Sequence, residues 1–379
     1  MEPAAKLPDS QSHSSAPISR RPNLLEMALF NEQGFRTAWP TVLFLLLNYF
    51  FVIVFGSVAW ATGSSAFHLQ MNHFGVLQEI LTELAVFAAL LAAGFIAARM
   101  DGRQLTAYSL IDNRMWRHAF TGAVAGFAAL SLLTAGLCLA GVLHLSYAHL
   151  TAANNLRFAL LWGFGFLLVG LTEEGTFRCF LLGTLARGMN FWWALVALAI
   201  MTAAMLTNAD RHGAGGVYAA ILAGIGPCFW AEWRKLPSSQ FWQAAWATSA
   251  GFGFVHTYNP GETAVGIFSA ALIGFTFCVS IWLIGSAWWA ISFHAAWDWA
   301  QTYFYGTPDS GLIPEGHLFA STATGQTLWS GGEAGPEGSL FVIPVTLLVL
   351  AALLFVYRDR WLSRQTHEVA SPAGQAQLS

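Results

Sequence analysis

Residues 157–183 read RFALLWGFGFLLVGLTEEGTFRCFLLG. From Phe158 to Thr172 nothing ionises, and an apolar run of this kind begins a membrane-spanning helix, which needs about 20 residues to cross the hydrocarbon core. Glu173, Glu174 and Arg178 then interrupt it. An ionisable group near mid-bilayer costs on the order of 3 kcal/mol on insertion scales, so three of them in one turn and a half of helix call for a chemical reason.

The composition agrees with a membrane setting. Hydrophobic residues make up 56% of the 379, charged residues only 10%, and there are 17 Trp and 30 Phe. Soluble domains carry about 25% charged residues, so a soluble enzyme is excluded. The formal net charge of -3 and the scattered basic residues give no stripe for nucleic acid. Cys138, Cys179, Cys228 and Cys278 all fall in apolar stretches without a CxxC pair, which points to packing residues rather than a disulfide framework.

Apolar runs at 40–62, 76–98, 118–143, 158–186, 191–207, 214–231, 240–258, 262–284, 286–304 and 339–357 predict an all-α polytopic bundle of about 8–10 transmembrane helices. The first 37 residues are polar and lack an apolar core, so a disordered tail over 1–22 and an interfacial helix or irregular segment over 23–37 are expected rather than a cleaved signal peptide. N-terminal helices occupy 38–157, a long external loop 305–338, and a last span with its tail 339–379. Basic residues orient the whole. With the N-terminus inside, 14 of the 17 Lys and Arg fall on the cytoplasmic side, among them Arg99, Arg103, Arg187, Arg234, Lys235 and Arg360, and the loop at 305–338 has none. Both termini are therefore expected in the cytoplasm.

Residues four apart share a helix face, while neighbours point about 100° apart. Glu174 pairs with Arg178 on this reading, and Glu173 turns toward the face of Gly170 and Phe177 with no local cation, free for general-base work. Two further spans carry chemistry. ATSAGFGFVHTYNPGE puts Phe252 and His256 four apart before an Asn-Pro-Gly turn, and WWAISFHAAWDWAQ puts His294 and Asp298 four apart. A base, a second group to position water and donors for an oxyanion are the parts of a buried hydrolytic site.

In order, Glu173-Glu174-x-x-x-Arg178, Phe252-x-x-x-His256 and His294-x-x-x-Asp298 resemble the motifs of the CPBP family, the intramembrane proteases that include the type II CAAX prenyl endopeptidases and bacteriocin-processing enzymes. The resemblance covers 158–304, with a helical hairpin at 191–231 inserted between motifs. It implies a glutamic endopeptidase in which Glu173 and His256 activate water, His294 and residue 298 stabilise the oxyanion, and Glu174 and Arg178, with Phe252, support the site. Position 298 is often Asn in the family; an ionised Asp298 cannot donate, and orienting His294 is its other role. His256 falls about 12 Å from the midpoint of its predicted span, at 1.5 Å per residue.

No soluble cofactor motif is present. A zinc protease using Glu173, His256 and His294 is the alternative within this architecture, although HExxH is absent. Outside it stand a proton-coupled transporter and a non-proteolytic peptide-binding or immunity protein. The expected substrates are membrane-associated or lipidated proteins, entering laterally or from the cytoplasm, and the expected location is a bacterial plasma membrane. Gly122 and Gly126 read as close packing within the bundle, and His68, His73 and His212 as solvated loop residues.

Overall fold

In a bilayer the only partner for a backbone N–H is the chain itself, so apolar runs become helices. The computed structural model, which describes residues 30–31, 34–35, 38–61, 75–207, 214–223 and 225–370, is built mainly from them. A separate N-terminal unit, Met1–Arg36, is described only as a hairpin in which β1 (Phe30–Asn31) pairs with β2 (Gly34–Phe35). The interfacial segment considered for 23–37 is otherwise outside the described residues, as are His68, His73 and His212.

The second unit, Thr37–Ser379, carries the bundle. Its helices are α1 (Ala38–Ala61), α2 (Val76–Met100), α3 (Met115–Leu139) and α4 (Ala152–Glu174), which continues as a π-helix over Gly175–Leu181 and a last α turn at Leu182–Leu185. Then come α5 (Phe191–Thr207), α6 (Ala214–Ala223), α7 (Gly226–Trp233), α8 (Ser239–His256) and α9 (Ala264–Ile284). Last are α10 (Trp288–Trp299), extended by a π-helix over Ala300–Phe304, then α11 (Val342–Val356) and α12 (Arg358–Ala370).

The all-α polytopic bundle is borne out: among the described residues five helices are long and apolar enough to cross a membrane, or six if α11 and α12, bent by 71°, count as one span. Polar side chains in the remaining helices can be satisfied within the helix itself: Thr248 and Ser249 of α8 donate to the carbonyls of Ala244 and Ala245, one turn back, at 2.8 and 2.6 Å. Two predicted spans are corrected. The predicted span at 214–231 is two helices, because Pro227 has no N–H for a continuing ladder and opens a new helix instead. The predicted span at 118–143 ends at Leu139, and Gly141 at φ +72° turns the chain into β3 (Leu143–Tyr147). β3 pairs antiparallel with β4 (Phe319–Ala323), so this small sheet ties the 305–338 loop to the end of α3.

Glycine decides how closely the central helices approach α10. A Cβ on Gly122 or Gly126 of α3 would lie 2.2 Å from the carbonyl oxygens of Trp289 and Phe293, and one on Gly170 of α4 would lie 2.7 Å from that of Ile291. Backbone therefore touches backbone on both sides of α10, the close approach that small residues allow between membrane helices. The consequence is testable by calorimetry or thermal scanning in detergent. Gly126→Ala should lower the melting temperature by several degrees, because the methyl has no room. Gly136→Ala on the same helix should leave it unchanged, since its nearest neighbour is a ring atom of Phe341 at 3.7 Å.

Candidate active site

Arg178 is 1% exposed, and a guanidinium so buried must have its charge met locally. Glu174, one turn earlier, meets it twice: Nε lies 3.2 Å from Oε2, and Nη1 donates to Oε1 at 3.3 Å. The flat cation also lies 4.1 Å from the ring centre of Phe252, with Phe277 and Phe177 at 5.5 and 5.6 Å. Only glycine fits behind it, since a Cβ on Gly274 would stand 2.4 Å from Nη2.

The same Glu174 carboxylate accepts from His294 Nδ1 at 2.9 Å. The other ring nitrogen, Nε2, lies 3.4 Å from Asp298 Oδ2 and 3.7 Å from Glu173 Oε2. Carboxylates only accept, so an imidazolium, with both nitrogens donating, satisfies this arrangement. His256 is arranged differently. Its Nδ1 faces the Phe252 carbonyl at 2.8 Å and must donate to it, which leaves Nε2 of the neutral ring as an acceptor.

Glu173, His256, His294 and Asp298 line one cavity of about 160 Å³, room for several waters. A smaller cavity of about 50 Å³ is also lined by the two histidines, together with Phe252, Phe277, Glu262 and Ser269. The sequence separated the two carboxylates of the doublet onto different partners; the structure turns both toward His294. His256, expected far from the middle of its span, is brought to the cavity because α8 ends at His256 itself. The turn that follows is packed under the 305–338 loop, with Gly261 against Glu333 and Gly311 against Pro260.

Four acids that the sequence reading did not single out also line the larger cavity: Glu79, Glu83, Asp309 and Glu337. Glu79 and Glu83 stand four apart in VLQEILTELAVF, a pair in an apolar helix that the intramembrane-charge rule flags in the same way as the Glu173 doublet. Asp309 and Glu337 come from the long loop and carry no local pattern. Thr302 Oγ1 donates to Asp309 at 2.8 Å, and Trp297 Nε1 donates to Glu337 at 2.7 Å. Burial pushes the Asp309 carboxyl up to about 6. Burial, and then the charge of Asp309, push Glu337 up to about 8, and burial pushes Glu262 up to about 7.

Both π-helical segments adjoin the site. One follows Glu174 and contains Arg178, and the other follows Trp299, one residue after Asp298. Such widened turns occur mostly at functional sites, and nothing in the local sequence announces them.

Residues 227–300 match the family model described as Type II CAAX prenyl endopeptidase Rce1-like. The matched stretch holds Phe252, His256, His294 and Asp298, while Glu173, Glu174 and Arg178 precede it. No curated protein and no solved structure matches the chain. The chain is thus a multi-pass membrane helix bundle that carries an Rce1-like segment, and the geometry joins that segment to the carboxylates of α4.

Removing one partner of the buried pair should be severe. Arg178→Met leaves the buried Glu174 carboxylate with His294 as its one remaining charged partner and should cost about 3–5 kcal/mol, read as loss of a cooperative unfolding transition or of monodisperse protein. Glu337 gives a pH signature. Its folded pKa is raised from the ordinary 4.5 to about 8, so its contribution favours the fold below about pH 4.5 and is lost as pH rises through 8. The melting temperature should fall across this window in the wild type and fall less in Glu337→Gln.

Proposed function

We propose that the chain is an intramembrane endopeptidase that hydrolyses peptide bonds of membrane-associated or lipidated proteins with a carboxylate-activated water. One observation carries the reading: Glu173, His256, His294 and Asp298, from three separate helices, line a single cavity with room for several waters, and the Rce1-like match contains three of the four.

Glu173 takes a proton from a water that also donates to His256 Nε2, and the hydroxide so formed attacks the scissile carbonyl carbon. The carbonyl π electrons move to oxygen, and His294, held as a donor by Glu174, stabilises that oxyanion. Asp298, at 3.4 Å from Nε2, keeps the imidazole charged and oriented rather than donating to the oxyanion. The tetrahedral intermediate collapses, the C–N bond breaks, and Glu173 returns its proton to the leaving amine. Arg178 takes no part in bond making; with Glu174 it holds His294 in place. The water needs no metal on this reading. Support comes from His294, both of whose nitrogens face carboxylates. The charge distribution supports both termini on the cytoplasmic side, and the membrane proposed is a bacterial plasma membrane.

Purified wild type and Glu173→Gln in lipid nanodiscs, compared on a diverse peptide library by mass spectrometry, test the reading. Loss of the base should lower cleavage by about 10²–10⁴-fold. Equal cleavage by two folded proteins would sink the assignment, and proton-coupled flux abolished by the same substitution would favour a transporter. Asp298→Asn should retain cleavage and alter its pH profile, because His294 keeps an acceptor but loses the negative charge that favours its protonated form. Prolonged chelation should leave the rate unchanged; loss restored by zinc would return the metal reading.

A further inference from the structure

The two ends of the bundle carry opposite charge, and the cavity belongs to one of them. At the first end lie the C-termini of α2, α4 and α9, the N-terminus of α3 and the whole of α12. Arg187, after α4, pairs with Asp101 after α2 at 2.5 Å, and Arg103 lies 3.5 Å from the same carboxylate. Arg360 of α12 donates to the Leu283 and Ile284 carbonyls at the end of α9, at 3.1 and 3.4 Å. Arg114, Arg117, Arg234 and Lys235 stand at helix ends on the same side. At the second end lie the start of α2, the ends of α8 and α10, the start of α9, and the 305–338 loop. Glu315 of that loop accepts from the Val76 backbone N–H at 2.9 Å. This loop contains Asp309, Glu315, Glu333 and Glu337 and no Lys or Arg.

From Glu173 and His294 the cavity extends only toward the second end. Its remaining polar walls are Glu79 and Glu83, in the first two turns of α2, and Asp309, Ser310 and Glu337 of the loop. Toward the first end the space under Glu174 is filled. Arg178, Phe252 and Phe277 are 1, 2 and 1% exposed, and the guanidinium lies against both rings there. No residue of the basic end lines the cavity.

Lys- and Arg-rich ends of membrane helices face the cytoplasm. We infer that the catalytic cavity opens on the non-cytoplasmic side, and that its substrates are the outer, membrane-proximal segments of anchored polypeptides rather than cytoplasmic tails. The inference rests on the protease reading for its substrate and on charge and cavity geometry alone for its sidedness.

Sealed right-side-out and inverted vesicles containing the full chain separate the two. Ile313, in the acidic loop and 57% exposed, and Lys235, exposed at the basic end, each become a cysteine in turn, with the wild type giving the background from its own four thiols. A membrane-impermeant maleimide should label Ile313→Cys in right-side-out vesicles and Lys235→Cys in inverted ones. The reverse pattern would overturn the sidedness. An impermeant peptide library should be cut at least about tenfold faster by right-side-out vesicles than by inverted ones, with the difference abolished by detergent and all cleavage dependent on Glu173. Faster cutting by inverted vesicles would overturn the substrate assignment. Absence of cutting in both, even in detergent, would overturn the protease reading and the substrate with it, while the labelling pattern would still decide the sidedness.

Discussion

A single carboxylate, Glu174, is shared between a guanidinium and an imidazole in the middle of an apolar bundle, and the rest of the site hangs from it. Its two oxygens meet Arg178, and one of them also receives His294. Burying any one of these groups alone is prohibitive, and together they satisfy one another. The histidine is consequently held by a neighbour on another helix as well as by Asp298 on its own. The glycine contact at Gly170 makes this possible, because a backbone-to-backbone approach brings α10 close to α4, within the short reach of a glutamate.

The two histidines sit on the same cavity in opposite electrostatic circumstances. His294 has carboxylates at both nitrogens, whereas His256 has a carbonyl at one and open cavity at the other. A donor to developing negative charge and an acceptor from water are different jobs, and the surrounding oxygens divide them without any difference between the side chains themselves. The aromatic rings of Phe252 and Phe277 act on both sides of this division. They shield Arg178 from solvent, so its attraction for Glu174 is weakly screened.

Much of this was legible from residue types and spacing. A charge in an apolar run must be accounted for, and that rule alone leads to Glu173, Glu174, Arg178, His294 and Asp298. The period of the apolar runs located most helices to within a few residues. Where it failed, a local backbone event was responsible: Pro227 divided one run, and Gly141 turned another into a strand. The pairing of Glu174 with Arg178 was legible, but the turn of both carboxylates toward His294 was not, for a different reason. Which way a carboxylate turns depends on what lies across the helix interface, and one sequence contains no information about which helices become neighbours. Glu79 and Glu83 obey the rule that found the others and were simply not weighed by it. Asp309 and Glu337 could not be found at all, because a loop has no periodicity to betray which residue points inward.

The π-helix after Glu174 has a consequence for how the chain can vary. An α-helix advances about 100° per residue, so a widened turn shifts the phase of everything beyond it. Upstream, Gly170 is keyed to α10; downstream, a Cβ on Gly183 would stand 2.9 Å from the ring of Tyr108. The two halves of α4 are thus meshed with different neighbours, like gear teeth set at different angles on one shaft. Loss of one residue between them would leave every side chain present and one mesh disengaged. In this segment length is as constrained as identity.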